Sequence, residues 1–232
     1  MNPALFWAIL GLEKGAERLP SEVLLLQDHA PGPDWLDFLA GRLRAGAIVV
    51  YPTETFYGLG GLATIESVAA RVFALKGREA GKTLPFIASD LEMVLQFSEG
   101  PPDFFYRLAE RFWPGPLTLV LRAREDVLPA TLYGPGRTIA VRVPPPAWLR
   151  DLVRKSGSLL ISTSANLSGQ PPLDSFSEVY KIFRDRVDYM IDGGRTPGEK
   201  PSTIIDLTGA EPACLREGKI PAEEVWAFLY ER

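Results

Sequence analysis

The sequence predicts an α/β domain: a twisted, mixed β-sheet with helices flanking it. Three observations lead there. Short β-branched runs recur along the chain and alternate with stretches of helical periodicity. Two of those runs, Leu117–Leu121 and Thr138–Val143, follow one another with no helical pattern between them, which suggests a mixed rather than a purely parallel sheet. Hydrophobic residues make up 46% of the 232 positions, enough for a sizeable core, and no repeat, low-complexity tract or linker divides them. The expected organisation is a helical N-terminal extension over 1–20 and one domain over 21–232.

The elements follow in order. The apolar run from Ala4 to Leu12 is about half of what a bilayer span needs, and it lacks a basic leader and a small-residue cleavage site. It reads as a docking or partner-binding helix over 3–19, with no membrane segment and a cytoplasmic location. Val23–Leu26 is the first strand signal. Leu36, Leu39 and Leu43 share a helical face after an Asp34 cap. Ala47–Tyr51 is a buried strand. Val68, Ala69, Val72 and Phe73 form the next helical stripe, which Gly77 is placed to end. Pro85–Ala88 is a strand, and Phe105, Leu108, Ala109 and Phe112 follow an Asp103 cap. After the strand pair already described comes Leu159–Ser162. Ser175 and Glu178 form a capping box before Val179, Ile182 and Phe183. Thr203–Leu207 is the last strand, and the final helix, Pro221 to Tyr230, opens on a proline.

Composition excludes several classes. A net charge of −4 with 23% charged residues argues against a general nucleic-acid coat, so any basic surface must be local. The single cysteine, Cys214, rules out a disulfide framework and a cysteine-rich zinc site. The single histidine, His29, rules out multi-histidine metal sites and leaves little room for a histidine-based triad. His29 reads as a surface loop residue.

Four segments carry chemistry. Tyr51-Pro52-Thr53-Glu54-Thr55-Phe56-Tyr57-Gly58-Leu59-Gly60-Gly61 places hydroxyls, a carboxylate and three glycines after a strand and before a helix, where open α/β sheets bind ligands. The glycines permit close backbone approach and positive φ; a glycine-rich structural turn is the alternative. Lys76-Gly77-Arg78-Glu79-Ala80-Gly81-Lys82-Thr83 approaches a P-loop, but its glycine spacing is one residue short and it follows a helix. What remains is a cluster of cations that either holds phosphates or is a solvated loop. Ile161-Ser162-Thr163-Ser164-Ala165-Asn166-Leu167-Ser168-Gly169 ends a strand in neutral donors and acceptors. In Thr138-Ile139-Ala140-Val141-Arg142, alternation puts Arg142 on one face with Thr138 and Ala140, where it should meet a buried carboxylate or an anionic ligand. Pro201-Ser202-Thr203 and Leu215-Arg216 add a hydroxyl pair and another arginine. Together these describe a site for an anion-rich ligand, with orientation and charge neutralisation doing the chemistry.

The ordered set Tyr51 to Gly60, Lys76-x-Arg78, Trp113 to Thr118, Ala140-Val141-Arg142 and Ser164-Ala165-Asn166 with Ser168-Gly169 resembles the YrdC-like threonylcarbamoyl-AMP synthases, over about 22–220. The resemblance implies a YrdC-like fold with a basic ligand-binding concavity, and condensation of L-threonine, bicarbonate or CO2, and ATP to threonylcarbamoyl-AMP and pyrophosphate. Downstream transferase proteins would then modify tRNA. It implies Thr53, Arg142, Ser162 and Thr163 at threonine; Lys76 and Arg78 as the catalytic triphosphate clamp; and Lys82, Thr138, Ser164, Asn166, Ser202 and Arg216 at the nucleotide. Mg2+ is expected on the phosphates, with no transition metal; the metal ligands stay unassigned, Glu54 being a conceivable metal or ammonium contact. Ile87, where some synthases carry histidine, and Gly198-Glu199-Lys200-Pro201-Ser202-Thr203 depart from that pattern, the second towards YciO-type paralogues. The alternatives are thus a YciO-like enzyme for another carbamoyl or amino-acid substrate, and a module contacting tRNA or double-stranded RNA. With the chain ending at Arg232, the further C-terminal domain of longer synthases is expected to be absent.

Overall fold

A computed structural model describes residues 21–26, 31–77 and 83–230. The expected N-terminal helix over 1–20, the His29 loop, Arg78 and Lys82 lie outside the described residues. The domain is α/β and mixed, as the sequence predicts, but its strands form two sheets rather than one.

The first sheet contains β1 (Glu22–Leu25), β2 (Val49–Tyr51), β3 (Gly58–Gly60), β8 (Thr163–Ser164) and β9 (Tyr189–Asp192) in the order β1-β9-β2-β3-β8. The second contains β4 (Pro85–Ile87), β5 (Leu117–Arg122), β6 (Thr138–Arg142), β7 (Leu160–Ile161), β10 (Thr203–Asp206) and β11 (Ala213–Arg216) in the order β11-β10-β5-β6-β4-β7. Each mixes parallel and antiparallel ladders: β1 and β2 run parallel to β9 while β3 runs antiparallel to β2, and β5 pairs parallel with β10 and antiparallel with β6. The sheets meet where the chain leaves β7, passes through Ser162 and enters β8. The strand run predicted over Leu159–Ser162 is therefore the exit of one sheet and the approach to the other.

That seam explains a glycine. A Cβ on Gly60 would stand 1.7 Å from the carbonyl oxygen of Ile161, which also accepts the Tyr51 hydroxyl at 3.2 Å. Backbone cannot yield as a flexible side-chain end does, so only glycine lets β3 pass here. The glycines of this segment serve close approach and not positive φ, since none of Gly58, Gly60 and Gly61 has one. The segment also runs strand, turn, strand, and the helix follows only after β3.

The described helices are α1 (Pro33–Arg44), α2 (Glu66–Lys76), α3 (Leu91–Phe97), α4 (Asp103–Phe112), α5 (Ala147–Ser156), α6 (Phe176–Phe183) and α7 (Ala222–Tyr230). Their buried faces match the predicted stripes: Leu36, Leu39 and Leu43 on α1, and Phe105, Leu108, Ala109 and Phe112 on α4. Gly77 ends α2 in the left-handed region at φ 59°. The caps differ from expectation. Gly32 and Pro102 are the N-caps of α1 and α4, while Asp34 and Asp103 sit inside the first turns and act there on the helix dipole. Ser175 does cap α6, but its hydroxyl pairs with that of Ser177 instead of closing a capping box.

Asp90 supplies a side-chain cap that the sequence reading did not assign: its Oδ1 accepts the Met93 amide of α3 at 2.9 Å. Burial raises the Asp90 carboxyl, but the Met93 amide, the Ser89 hydroxyl and the Arg154 guanidinium outweigh it and hold the group below its ordinary value. Asp90→Ala should cost about 1 kcal/mol in a denaturant titration at neutral pH. A carboxylate lowered by folding stabilises above its unfolded pKa of about 4, so the difference should shrink as the pH falls through the lower folded value. Gly60→Ala should cost about 3 kcal/mol or more, the upper part of the range for overpacking, because its clash is with backbone.

Candidate functional site

A cavity of about 630 Å³ opens over one face of the six-stranded sheet. Strand alternation builds its floor: Ser202, Ile204 and Asp206 from the β10 segment, Thr118 and Val120 from β5, and Thr138, Ala140 and Arg142 from β6. The residues between them, such as Leu119, Val141 and Ile205, go into the core. The other sheet supplies the facing wall through the β2–β3 turn, with Thr53, Thr55 and Tyr57, and through Ser162, Thr163 and Ser164 at the seam. Nine residues singled out from the sequence thus line one space: Thr53, Thr138, Arg142, Ser162, Thr163, Ser164, Asn166, Ser202 and Arg216.

Among the described residues, the charged side chains lining the cavity are Arg142, Arg216 and Asp206. Arg142 is 7% exposed and forms an ion pair with Glu54, a carboxylate being one of the two partners expected for it, the other an anionic ligand. Glu54 Oε1 takes this bond, while Oε2 is buried and has no hydrogen-bond partner among the described residues. Arg216 is anchored at the opposite edge, where its Nη2 donates to the Ser202 carbonyl at 2.8 Å and to the Ser202 hydroxyl at 3.2 Å. Burial, and then the charge of Arg142, hold the Arg216 pKa below the usual arginine value. Two cations that repel across one space are best satisfied by an anion between them.

The remaining groups are fixed in orientation. Thr53 Oγ1 donates to the Phe56 carbonyl at 2.7 Å and accepts the Thr55 amide at 3.2 Å, which folds the turn onto the cavity. The Ser202 hydroxyl is 2.9 Å from that of Thr118. Burial pushes Tyr57 up to about 12 and Tyr51 higher still, so both phenols stay neutral hydrogen-bonding groups. Tyr57 donates to the Gly194 carbonyl at 3.0 Å and accepts the Gly193 amide at 3.1 Å.

Lys76 sits behind this wall. It is 4% exposed, and its ammonium donates to the Ser164 carbonyl at 2.6 Å and to Asn166 Oδ1 at 2.7 Å. Asn166 in turn donates to the Gln170 carbonyl, so Lys76 holds the Ser164–Asn166 loop in shape. Arg78 and Lys82 are outside the described residues, as stated. Thr118, Asp206 and Thr208 line the cavity without having been assigned a role from sequence. Thr118 was visible within the Trp113–Thr118 motif, whereas Asp206 carried only its place in the strand run after Ser202-Thr203.

A second cavity, of about 350 Å³, lies on the far side of Thr53, which lines both; Pro52, Pro146, Trp148 and Pro197 form part of its wall. Among the described residues, no group of three or more His, Cys, Asp or Glu side chains could cage a metal. No helix among them is long and apolar enough to cross a membrane.

Comparison with known proteins adds a family. The model for Sua5, YciO and YrdC proteins, described as "Telomere recombination", matches residues 42–218. The chain is 40% identical over 192 residues to a threonylcarbamoyl-AMP synthase of Pyrococcus abyssi, covering 83% of this chain and 56% of the relative. It is 32% identical over 190 residues to the one of Bacillus subtilis, covering 82% and 55%. The chain therefore spans about half the length of these curated relatives. With the threonylcarbamoyl-AMP synthase of Idiomarina loihiensis, identity is 40% over 165 residues, covering 68% of this chain and 86% of that protein. The crystal structure of P. abyssi Sua5 complexed with L-threonine superposes with a TM-score of 0.82 at 36% identity, over 90% of this chain and 61% of that one. Escherichia coli YciO gives a TM-score of 0.80 at 26% identity, over 88% and 99%.

Lys76→Ala should remove two hydrogen bonds from a buried ammonium. The expected loss of stability is roughly 1.5–3 kcal/mol in urea, of the size of one charge-assisted bond. A lysine that served only as a solvent-facing clamp would leave the urea midpoint unmoved.

Proposed function

The chain belongs to the Sua5, YciO and YrdC family, and on that premise we infer that it is an L-threonylcarbamoyladenylate synthase, a nucleotidyltransferase. It condenses L-threonine, bicarbonate or CO2, and ATP into threonylcarbamoyl-AMP and pyrophosphate. The observation that carries this reading is the cavity itself: two arginines in one space lined by hydroxyls and by the amides of Asn166 and Gln170. Such a lining suits a reaction whose partners bring their own nucleophile. The threonine amine adds to the carbon of CO2 with loss of a proton to solvent, or to that of bicarbonate with loss of water; the resulting carbamate oxygen then attacks the α-phosphorus as the bond from that phosphorus to the pyrophosphate oxygen breaks. The protein's task is to align the groups and offset the charge.

In this reading Arg142 receives the threonine carboxylate, beside Thr53, Ser162 and Thr163. Ser164, Asn166, Thr138, Ser202 and Arg216 serve the nucleotide. Lys76 acts through the Ser164–Asn166 loop that it ties, and Arg78 and Lys82 belong to the triphosphate. Mg2+ would be carried by the triphosphate and completed by water, with one or two protein carboxylates at most. The adenylate passes to transferase proteins that modify tRNA, and the protein works in the cytoplasm.

The test is pyrophosphate release from ATP and Mg2+ with bicarbonate, comparing L-threonine, L-serine and no amino acid. Release that needs both threonine and bicarbonate is expected. ATP binding without threonine-dependent release would favour a YciO-like paralogue with another substrate. Salt-sensitive RNA binding without any ATP binding would favour the RNA-binding alternative. In the same assay Arg142→Ala should raise the KM for threonine by about tenfold or more, as loss of a charge-assisted bond implies, with a smaller change for ATP. Equal effects on both substrates would make Arg142 a structural residue.

A further inference from the structure

A carboxylate is out of place in a cavity built for an anion, yet Asp206 lines the same space as Arg142 and Arg216. It would repel an anionic ligand unless it met a part of that ligand able to donate hydrogen bonds.

Strand geometry places it. Ser202, just before β10, and Ile204 and Asp206 on it alternate along the cavity face. Ile204 is in register with Arg216 on one side and Thr118 on the other, and Asp206 is in register with Val120. The carboxylate therefore stands one rung beyond the rung that carries Arg216, roughly 7 Å along the strand at about 3.3 Å per residue. Its orientation is set by its own turn. The Thr208 amide donates to Asp206 Oδ1 at 2.9 Å, and the Thr208 hydroxyl donates to the same oxygen at 2.7 Å. Both bonds fall on Oδ1, and among the described residues no hydrogen bond reaches Oδ2.

We propose that Asp206 is a specificity residue that receives the ribose 2′-hydroxyl of the nucleotide, its Oδ2 accepting from that hydroxyl while the phosphate lies on the Arg216 rung. The proposal rests on the synthase reading, which puts a nucleotide in this cavity. The width of a sugar ring separates that hydroxyl from the 5′-phosphate, a spacing of the same order as one rung. A fixed carboxylate is also a group that tells a ribose from a deoxyribose, because it can only accept and so gains nothing where a hydroxyl is missing.

The variant Asp206→Asn tests this cleanly. Its amide oxygen can still take both Thr208 bonds, so the turn survives, while the acceptor Oδ2 becomes a donor. Dissociation constants for ATP and 2′-deoxyATP would be measured with Mg2+ on the full chain, wild type and variant, together with the thermal midpoint of each. Expected are a wild-type preference for ATP of about tenfold or more, the size of one charge-assisted hydrogen bond, and a variant that loses most of that preference. The loss should fall on ATP, with 2′-deoxyATP and the thermal midpoint little changed. Equal weakening of both nucleotides, or a wild type indifferent to the 2′-hydroxyl, would overturn the assignment. Failure of the wild type to bind ATP at all would refute the synthase reading itself, and the proposal with it.

Discussion

Everything in this structure turns on the contact between Gly60 and the Ile161 carbonyl. There β3 of one sheet crosses β7, the edge strand of the other, with no side chain between them. The Tyr51 hydroxyl binds the same carbonyl from β2, so two strands of the first sheet fix the point at which the chain leaves the second. Because Ser162 follows directly, the seam and the site are one feature. A cavity closed by two sheets needs their relative position held to a fraction of an ångström, and backbone against backbone holds it better than any pair of mobile side chains.

The charge arrangement follows from that seam. The β2–β3 turn brings Glu54 up to Arg142 from the opposite sheet, and α2 brings Lys76 to the Ser164–Asn166 loop. Both are charged side chains removed from water, which is costly unless each finds partners. Here the partners belong to different elements. The same bonds that satisfy the charges also bind sheet to sheet and helix to loop, so the site and the fold share their supports.

Much of this was legible in the sequence, for physical reasons that can be named. The core faces of α1 and α4 announced themselves by 3.6-residue spacing, and Arg142 by its place in an apolar alternation. What stayed hidden was short or decided from far away. Gly58–Gly60 is a strand with little strand propensity, formed because β2 and β8 lie on either side of it. The division into two sheets hangs on one residue, Ser162, in a run that reads as continuous. Asp34 and Asp103 look like caps, but prolines begin those helices: Pro33 takes the first position of α1, and Pro102 is the N-cap of α4. The helix α5 was overlooked although Pro144-Pro145-Pro146 ahead of Trp148, Leu149, Leu152 and Val153 was a fair signal for it. Asp206 had no signal, since its meaning depends on which face of a sheet is open.

Thr53 stands between two hollow spaces, one lined in part by Arg142, Arg216 and Asp206, the other by Pro52, Pro146, Trp148 and Pro197 together with Arg195 and Thr196. A partition that rests on one residue can be altered by one substitution. A smaller residue there would join the two spaces, while Arg142, Arg216 and the seam stayed as they are. Joining them would bring Arg195 to the enlarged space, so a change of volume at Thr53 is a change of charge as well.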